Sequence, residues 1–200
     1  MIYKDTFLRI KIAYIIGICG VRATGKSTIA RNLGLIIRAD ILSSGRVREM
    51  VRAQYKHQEL SGLFESVTNA SSLDVAMRYL LVQAEVIKPS ILAVMKQCRE
   101  REANLIIEGT HIYPNLYKKE LDLEVLLVAP REKLAYRMHK DKKRRFSEKI
   151  LKLNSELQEH LKKKAEKYNI PIIDTTSIPS ALIEIVKLLP SEKLLKTYFE

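Results

Sequence analysis

Short apolar runs alternate along the chain with longer stretches in which apolar residues recur at helical spacing. The apolar runs predict buried strands, because they are short, contain β-branched residues and end at turn residues. They cover residues 12–19, 104–107, 123–128 and 170–173, with a weaker candidate at either 36–37 or 41–42. Because alternating strands and helices form a parallel sheet covered on both faces, the pattern predicts an α/β fold with five parallel strands flanked by helices.

The stretches of helical spacing predict the helices that cover the sheet. They run over residues 26–33, 46–57, 73–102, 131–167 and 178–189. Gly34 is expected to stop the first of them, since glycine often follows the last residue of a helix. Pro89 lacks an amide hydrogen, so it predicts a kink or a division within the third.

The composition is that of one globular domain. The 200 residues are 46% hydrophobic and 29% charged, which excludes low-complexity and wholly disordered chains. No apolar run reaches the roughly 18 residues that cross a bilayer. Cys19 and Cys98 make neither a disulfide framework nor a metal-ligand spacing. We therefore expect a single domain over residues 1–200, with residues 1–11 as an N-terminal extension, in a reducing cytoplasmic setting.

The net charge is the first indication of function. A formal charge of +12 favours anionic partners such as nucleotides, phosphorylated metabolites or nucleic acid. Much of the excess lies in residues 131–167, with 14 Lys and Arg against 6 Asp and Glu. Two interpretations stay open for this segment: a solvated helical face, or a basic lid that closes over phosphates.

One motif carries the chemistry. It fits G-x-x-x-x-G-K-[ST] without a mismatch and consists of Gly20, Val21, Arg22, Ala23, Thr24, Gly25, Lys26 and Ser27. The glycines let successive amides turn inward onto phosphates, and the helix that follows aims its N-terminus, with Thr28, at the same anion. Lys26 can reach the β- and γ-phosphates, and the Ser27 hydroxyl can bind Mg²⁺. The motif predicts a P-loop domain that binds ATP or GTP with Mg²⁺.

Glu108 is the candidate for a second carboxylate near the magnesium. It follows an apolar strand, at the carboxyl edge of the sheet where open α/β sheets bind their ligands. We interpret it as a Walker-B-like acid that holds a magnesium-bound water or orients the acceptor; the alternative is an ordinary strand-end acid. For nearby His111, the alternative to an acceptor contact is a simple turn residue.

Arginines supply candidate anion contacts in two places. Arg46, Arg48 and Arg52 lie on one predicted helix, and the last two share a face because they are four residues apart. A guanidinium binds phosphate or carboxylate through two donors at once. Arg137, with Arg144 and Arg145 farther along, has the position of a lid arginine that closes over the transferred phosphate.

Other motifs and the length of the chain indicate which class of P-loop protein this is. The sequence contains no Asn-Lys-x-Asp guanine-binding motif, which argues against a GTPase switch, and it is short for a mechanical ATPase. The size and the late basic segment suit a small-molecule kinase of the adenylate-kinase type.

Several further segments resemble one family. Residues 47–52 (VREMVR) are similar to its I-R-E-V-M-R, residues 106–114 (IIEGTHIYP) to its I-I-E-G-V-H-x-x-P, and Gln83 falls where the family has a Gln. Residues 157–161, 170–174 and 177–178 resemble its C-terminal end. Over roughly residues 14–186 the chain thus resembles the kinase domain of 2-phosphoglycerate kinase. We therefore expect only the kinase domain, without the N-terminal nucleotide-binding module that the longer members carry.

The resemblance implies ATP and Mg²⁺ as cofactors, with Ser27 and Glu108 at the metal. It also implies that Arg48, Arg52 and His111 bind an anionic acceptor, and that Asp174, at the end of the last strand, lies beside the adenine. One departure concerns the acceptor. Gly45 stands where the family has an Asp that would orient or deprotonate the acceptor hydroxyl.

The sequence therefore predicts a kinase that transfers the γ-phosphate of ATP to a small anionic, phosphorylated metabolite such as 2-phosphoglycerate. Lys26, Glu108 and Arg137 are the expected catalytic residues, and no membrane partner is expected. One alternative is a kinase for nucleotides or polynucleotide ends, less favoured because few aromatic residues accompany the basic segment. The other is an ATP-binding regulator without catalysis, which the loss of the Asp at Gly45 would suit.

Overall fold

A computed structural model describes residues 13–56, 61–142 and 146–190. Five parallel strands form one sheet in the order β2-β3-β1-β4-β5, as the sequence predicts. They are β1 (Ile15–Gly20), β2 (Ala39–Ser43), β3 (Asn104–Glu108), β4 (Leu123–Val128) and β5 (Ile172–Asp174). The second strand contains residues 41–42; the alternative at 36–37 is wrong, since those residues belong to a helix.

The helices cover both faces of the sheet. They are α1 (Lys26–Ile37), α2 (Ser44–Arg52), α3 (Ser61–Phe64), α4 (Leu73–Glu100), α5 (Arg131–Lys140), α6 (Glu148–Lys167) and α7 (Ile178–Lys187), with a 3₁₀ turn at Val67–Asn69. The short α3 and the 3₁₀ turn were not predicted, and the predicted lid region 131–167 consists of two helices. Residues 1–11, Arg144 and Arg145 lie outside the described residues.

The predicted helix stop at Gly34 is wrong, and of the two alternatives predicted at Pro89, the division is wrong. Gly34 does not stop α1, which continues to Ile37; a Cβ at Gly34 would lie 3.2 Å from the Ile41 side chain, so this glycine allows α1 to approach β2 closely. Pro89 does not divide α4, which runs as one helix of 28 residues. Pro89 is exposed, so water can satisfy the carbonyl that it leaves without a donor.

The core lies on both faces of the sheet because successive side chains of a strand point in opposite directions. On one face, Ile16 and Ile18 pack with apolar residues of α1 and α7. On the other, Ile15 and Cys19 pack with α4 and α6. Every residue of β1 is buried, as expected for the central strand of a parallel sheet.

The strand order places the site. β1 pairs with β3 on one side and with β4 on the other, so its carboxyl end lies at the point where the strand order reverses, which is where such sheets bind ligands. The P-loop follows β1, and α2 begins directly after β2 at the same edge. Within the described residues, none of the helices is long and apolar enough to span a membrane.

Candidate active site

The P-loop has the backbone that a phosphate cradle requires. Gly20 has φ 153° and Gly25 has φ 89°, values that side chains disfavour. A Cβ on Gly20 would also lie 2.7 Å from the Leu127 carbonyl oxygen. Gly25 is the N-cap of α1, so the amides of the loop and of the first helical turn face one space. The loop that the motif predicts is therefore formed.

Two side chains brace the loop from within. The Thr24 hydroxyl donates to the Val21 carbonyl at 2.9 Å, and the Lys26 ammonium donates to the same oxygen at 2.7 Å. Thr24 is fully buried, whereas Lys26 lines the cavity described below. The Lys26 ammonium therefore lies against the P-loop, beside the space that the loop amides face.

Ser27 and Glu108 come together, as the sequence predicts. The Ser27 hydroxyl donates to Glu108 Oε1 at 3.2 Å, and Glu108 is buried at the end of β3. Hydroxyl and carboxylate oxygens suit Mg²⁺, which is usually held by one or two protein ligands together with water and substrate phosphates. The described residues contain no cluster of three or more His, Cys, Asp or Glu that could hold a metal.

His111 lies at the centre of a buried hydrogen-bond network. Its Nδ1 lies 3.2 Å from Ser44 Oγ, and its Nε2 lies 3.0 Å from Gln83 Oε1. Both amide hydrogens of Gln83 are used by carbonyl oxygens of the α3 segment, those of Gly62 and Glu65, so Gln83 Oε1 must accept. His111 therefore carries its proton on Nε2, and Nδ1 accepts from the Ser44 hydroxyl.

The network keeps His111 uncharged. Burial, followed by the charges of Arg48 and Lys26, lowers the pKa of His111 from 6.5 to about 3. Gly109 is required here as well, because it has φ 144° and a Cβ would collide with the Ser44 side chain. His111 lines the cavity as a neutral hydrogen-bonding group rather than as a cation.

The two arginines expected to bind the acceptor have other partners. Arg48 donates from Nη1 to Gln83 Oε1 at 3.1 Å and from Nη2 to Glu49 Oε1 at 2.5 Å. Arg52 shares the same face, as predicted, and pairs with the other oxygen of Glu49 at 2.5 Å. The two guanidinium groups lower the pKa of Glu49, mainly through the Arg48 hydrogen bond. Arg48 lines the cavity, but Arg52 does not.

Arg137 lies against the P-loop from the other side. Its Nη1 donates to the Ala23 carbonyl at 3.1 Å and to Thr175 Oγ1 at 3.2 Å, and its Nη2 donates to the Thr175 carbonyl. Partial burial lowers the pKa of Arg137, and the charge of Asp174 opposes that shift. Asp174 itself accepts from the Thr176 amide at 2.6 Å and does not line the cavity.

Asp141 and Asn154 are site residues that sequence reasoning missed. Asp141, directly after α5, pairs with Arg22 at 3.2 Å, and Asn154 on α6 donates to the Arg22 carbonyl at 3.0 Å. No local pattern marks either residue, because each contact joins segments more than 100 residues apart. The start of the predicted lid is thus attached to the P-loop.

One cavity of about 1650 Å³ connects these parts. It extends from the P-loop and Arg137 to the wall formed by α2, α4, α6 and the 3₁₀ turn. Three acidic residues line it: Glu49, Glu108 and Asp141. Six basic residues also line it: Arg22, Lys26, Arg31, Arg46, Arg48 and Arg137. The excess of positive charge favours anionic ligands.

Sequence comparison connects the chain with one named enzyme. A 2-phosphoglycerate kinase from Methanopyrus kandleri is 27% identical over 203 residues, which is 91% of this chain and 62% of that protein. One from Pyrococcus horikoshii is 27% identical over 207 residues, 93% of this chain and 67% of that protein. The chain thus spans about two thirds of the length of these relatives, and the resemblance seen in its motifs is confirmed. No protein-family model matches the chain.

Structure comparison supports the fold. TT1252 from Thermus thermophilus has a TM-score of 0.60 and 16% identity, with 88% of this chain and 96% of that chain covered. A shikimate kinase from Acinetobacter baumannii has a TM-score of 0.56 and 15% identity, with 95% and 97% covered. These likenesses confirm the predicted fold class, a P-loop sheet flanked by helices.

Proposed function

We propose that the protein is an ATP-dependent kinase that phosphorylates a hydroxyl of a small anionic metabolite, with 2-phosphoglycerate as the first candidate acceptor. The observation that carries the proposal is the contact of Ser27 with Glu108 beside an intact P-loop, in the lining of a cavity large enough for two substrates. The names of the four related proteins support the choice of acceptor.

On the nucleotide side, the loop amides and the N-terminus of α1 hold the β- and γ-phosphates of ATP. Lys26 exchanges the Val21 carbonyl for a phosphate oxygen as the nucleotide enters. Ser27 and Glu108 would hold Mg²⁺, which supplies positive charge to the phosphate oxygens. Arg137, placed beside Ala23, adds charge to the γ-phosphate on the side opposite α2.

On the acceptor side, the acceptor oxygen bonds to the γ-phosphorus while the bond from that phosphorus to the β–γ bridging oxygen breaks, and ADP leaves. Glu108 takes the hydroxyl proton on Oε2, because its Oε1 accepts from Ser27 and would face the metal. The other two cavity carboxylates are paired with arginines. Neutral His111 is a hydrogen-bonding group and not the base. The transition state of such transfers is loose, so positioning and charge matter more than a strong base.

The test is phosphate transfer by the purified chain in the presence of Mg²⁺, ATP and 2-phosphoglycerate. The reaction is monitored through the release of ADP and through ³¹P NMR of the product. Lys26→Ala is the contamination control and is expected to reduce turnover at least 100-fold. A stimulation by 2-phosphoglycerate that Lys26→Ala abolishes supports the proposal. ATP binding without transfer to 2-phosphoglycerate, other phosphorylated metabolites, nucleotides or polynucleotide ends would favour the regulator instead.

A further inference from the structure

We propose that Arg31 and Arg46 form a phosphate clamp, a pair of guanidinium groups that binds a phosphate which the acceptor already carries before transfer. The substrate class would then be a hydroxylated phosphate monoester. This inference rests on the proposed kinase function, since it concerns the acceptor of that same cavity.

The first argument is the use of donors in the cavity. Four of its six basic side chains hold protein partners: Arg22, Lys26, Arg48 and Arg137. Arg31 and Arg46 make no hydrogen bond or ion pair with any described residue, although both line the cavity. Their donors are therefore available to a ligand, and a guanidinium suits a phosphate because it can donate two parallel hydrogen bonds.

The second argument is position. Arg31 lies four residues after Ser27 on α1, so it shares a helical face with the predicted metal ligand. Arg46 lies in the first turn of α2, two residues after Ser44, which contacts His111. α2 follows β2 at one edge of the sheet, whereas Arg137 binds Thr175 beside β5 at the opposite edge. Arg46 is thus on the side of the cavity opposite Arg137, and Arg31 lies one helical turn beyond Ser27 in the same cavity.

The third argument is the open space beside Arg46. A Cβ on Gly45 would meet only Ser43 Oγ, at 3.7 Å, so the position is a glycine for reasons other than backbone strain or crowding. A carboxylate at this position would lie next to Arg46 and would compete with a phosphate for its donors. Gly45 leaves both the room and the positive charge to the ligand.

The clamp also assigns the acceptor contact to different arginines from those that the helical spacing suggests. Arg48 is occupied by Glu49 and Gln83, so its loss would disturb the network around His111. Arg52 lies outside the cavity lining. Removing Arg31 or Arg46 breaks no contact within the described residues, so such variants are expected to fold normally.

The experiment is calorimetric titration of 2-phosphoglycerate and of glycerate into the protein with Mg²⁺ and a non-hydrolysable ATP analogue. Arg31→Ala and Arg46→Ala are each expected to weaken 2-phosphoglycerate at least about tenfold, since hydrogen bonds to charged groups are strong. Glycerate affinity should change less than threefold in both. Arg78→Ala, on the exposed side of α4 and outside the cavity, is the matched charge control.

Two measurements sharpen the result. Arg46→Lys keeps the charge without the planar fork and should lie between wild type and Arg46→Ala. Raising the ionic strength should weaken 2-phosphoglycerate binding to the wild type more than binding to a variant that carries both Arg31→Ala and Arg46→Ala.

The clamp and the kinase function fail separately. Wild-type affinity for 2-phosphoglycerate in both arginine variants, equal losses for glycerate, or no 2-phosphoglycerate binding to the wild type would each overturn the clamp. Arginine-dependent binding without transfer to 2-phosphoglycerate or to other hydroxylated phosphate monoesters would overturn the kinase function and leave the clamp standing.

Discussion

The cavity has two sides that we propose bind the nucleotide and the acceptor, here called the nucleotide side and the acceptor side, and they are built in different ways. The nucleotide side is one contiguous stretch, residues 20–27, and most of its phosphate donors are backbone amides. The acceptor side joins Ser44, Gln83 and His111, which come from three elements and meet through side-chain hydrogen bonds. The first depends on local backbone angles, whereas the second depends on the packing of the whole domain.

This difference determines how each side responds to substitution. A backbone cradle fails when a side chain forces the loop out of its conformation, and it tolerates most other changes. A buried polar network fails when one member is removed, because the remaining donors and acceptors lose their partners. The following five predictions separate the two sides, from the largest expected effect to the smallest.

Gly20→Ala tests the backbone cradle. The φ of 153° and the 2.7 Å approach to the Leu127 carbonyl leave no space for a methyl group. We expect ATP affinity to fall by two orders of magnitude or more, measured by calorimetry with Mg²⁺. Gly45→Ala is the matched glycine control and should leave ATP affinity unchanged; an equal loss in both would contradict the distinction between the two sides.

Gly45→Asp tests whether the acceptor side accepts a base. The space beside Gly45 is open, and an acid in the first turn of α2 suits the helix dipole. An added general base is expected to raise kcat with 2-phosphoglycerate by about 10²-fold, and pairing with Arg46 to raise KM. Gly45→Asn is isosteric and should do neither. A lower kcat in the Asp variant would show that a carboxylate here is not productive.

Gln83→Leu tests the network. It removes the acceptor for Arg48 and His111 and leaves the Gly62 carbonyl without its donor. The Glu65 carbonyl keeps only its long contact with Arg48 Nη1, at 3.5 Å. Each buried group left unsatisfied costs about 1–3 kcal/mol. Urea unfolding should show a loss in that range or above, with a raised KM for the acceptor. The control is Gln97→Leu at an exposed position of the same helix, where little change is expected.

The neutral His111 predicts a pH dependence of stability. Its pKa of about 3 in the folded protein lies below the ordinary 6.5, so the unfolded chain binds a proton that the folded chain excludes between these values. The contribution of neutral His111 to the free energy of unfolding is therefore fully present above about pH 6.5 and is lost as the pH falls toward 3. His111→Asn should flatten the decline of Tm over that window, whereas His139→Asn, at an exposed position, should not.

Asp141→Asn should have the smallest effect. It replaces the ion pair with Arg22, whose side chain is 8% exposed against 35% for Asp141, by a hydrogen bond from Arg22 to the Asn amide oxygen. Because Arg22 keeps an acceptor, the loss is expected to stay within about 1 kcal/mol. We expect a stability change within that limit by thermal unfolding and no change in ATP affinity. A large loss of ATP affinity would mean that the pair holds the P-loop in place.

Much of the fold could be predicted because its signals are local. Four strands and the P-loop were predicted within a few residues, since a run of apolar residues and a glycine motif act over short distances. The second strand was one of two candidates that the apolar pattern left open. The errors at Gly34 and Pro89 have one cause. In each case the tertiary context outweighs the usual tendency of the residue to end or interrupt a helix. Gly34 lies close to β2, and Pro89 is exposed to solvent.

The sequence by itself determined the nucleotide side of this protein. Gly20, Gly25, Lys26 and Ser27 act through backbone angles and reach within one loop, and Glu108 follows from the direction of a parallel strand. Only the tertiary structure decided the acceptor side. Helical spacing placed Arg48 and Arg52 on one face, but the packing of α2 against α3 and α4 gave Arg48 protein partners. Arg31 and Arg46 line the cavity without a hydrogen bond or ion pair to any described residue. Which donors stay available depends on neighbours that lie far away in the chain, and no local pattern contains them.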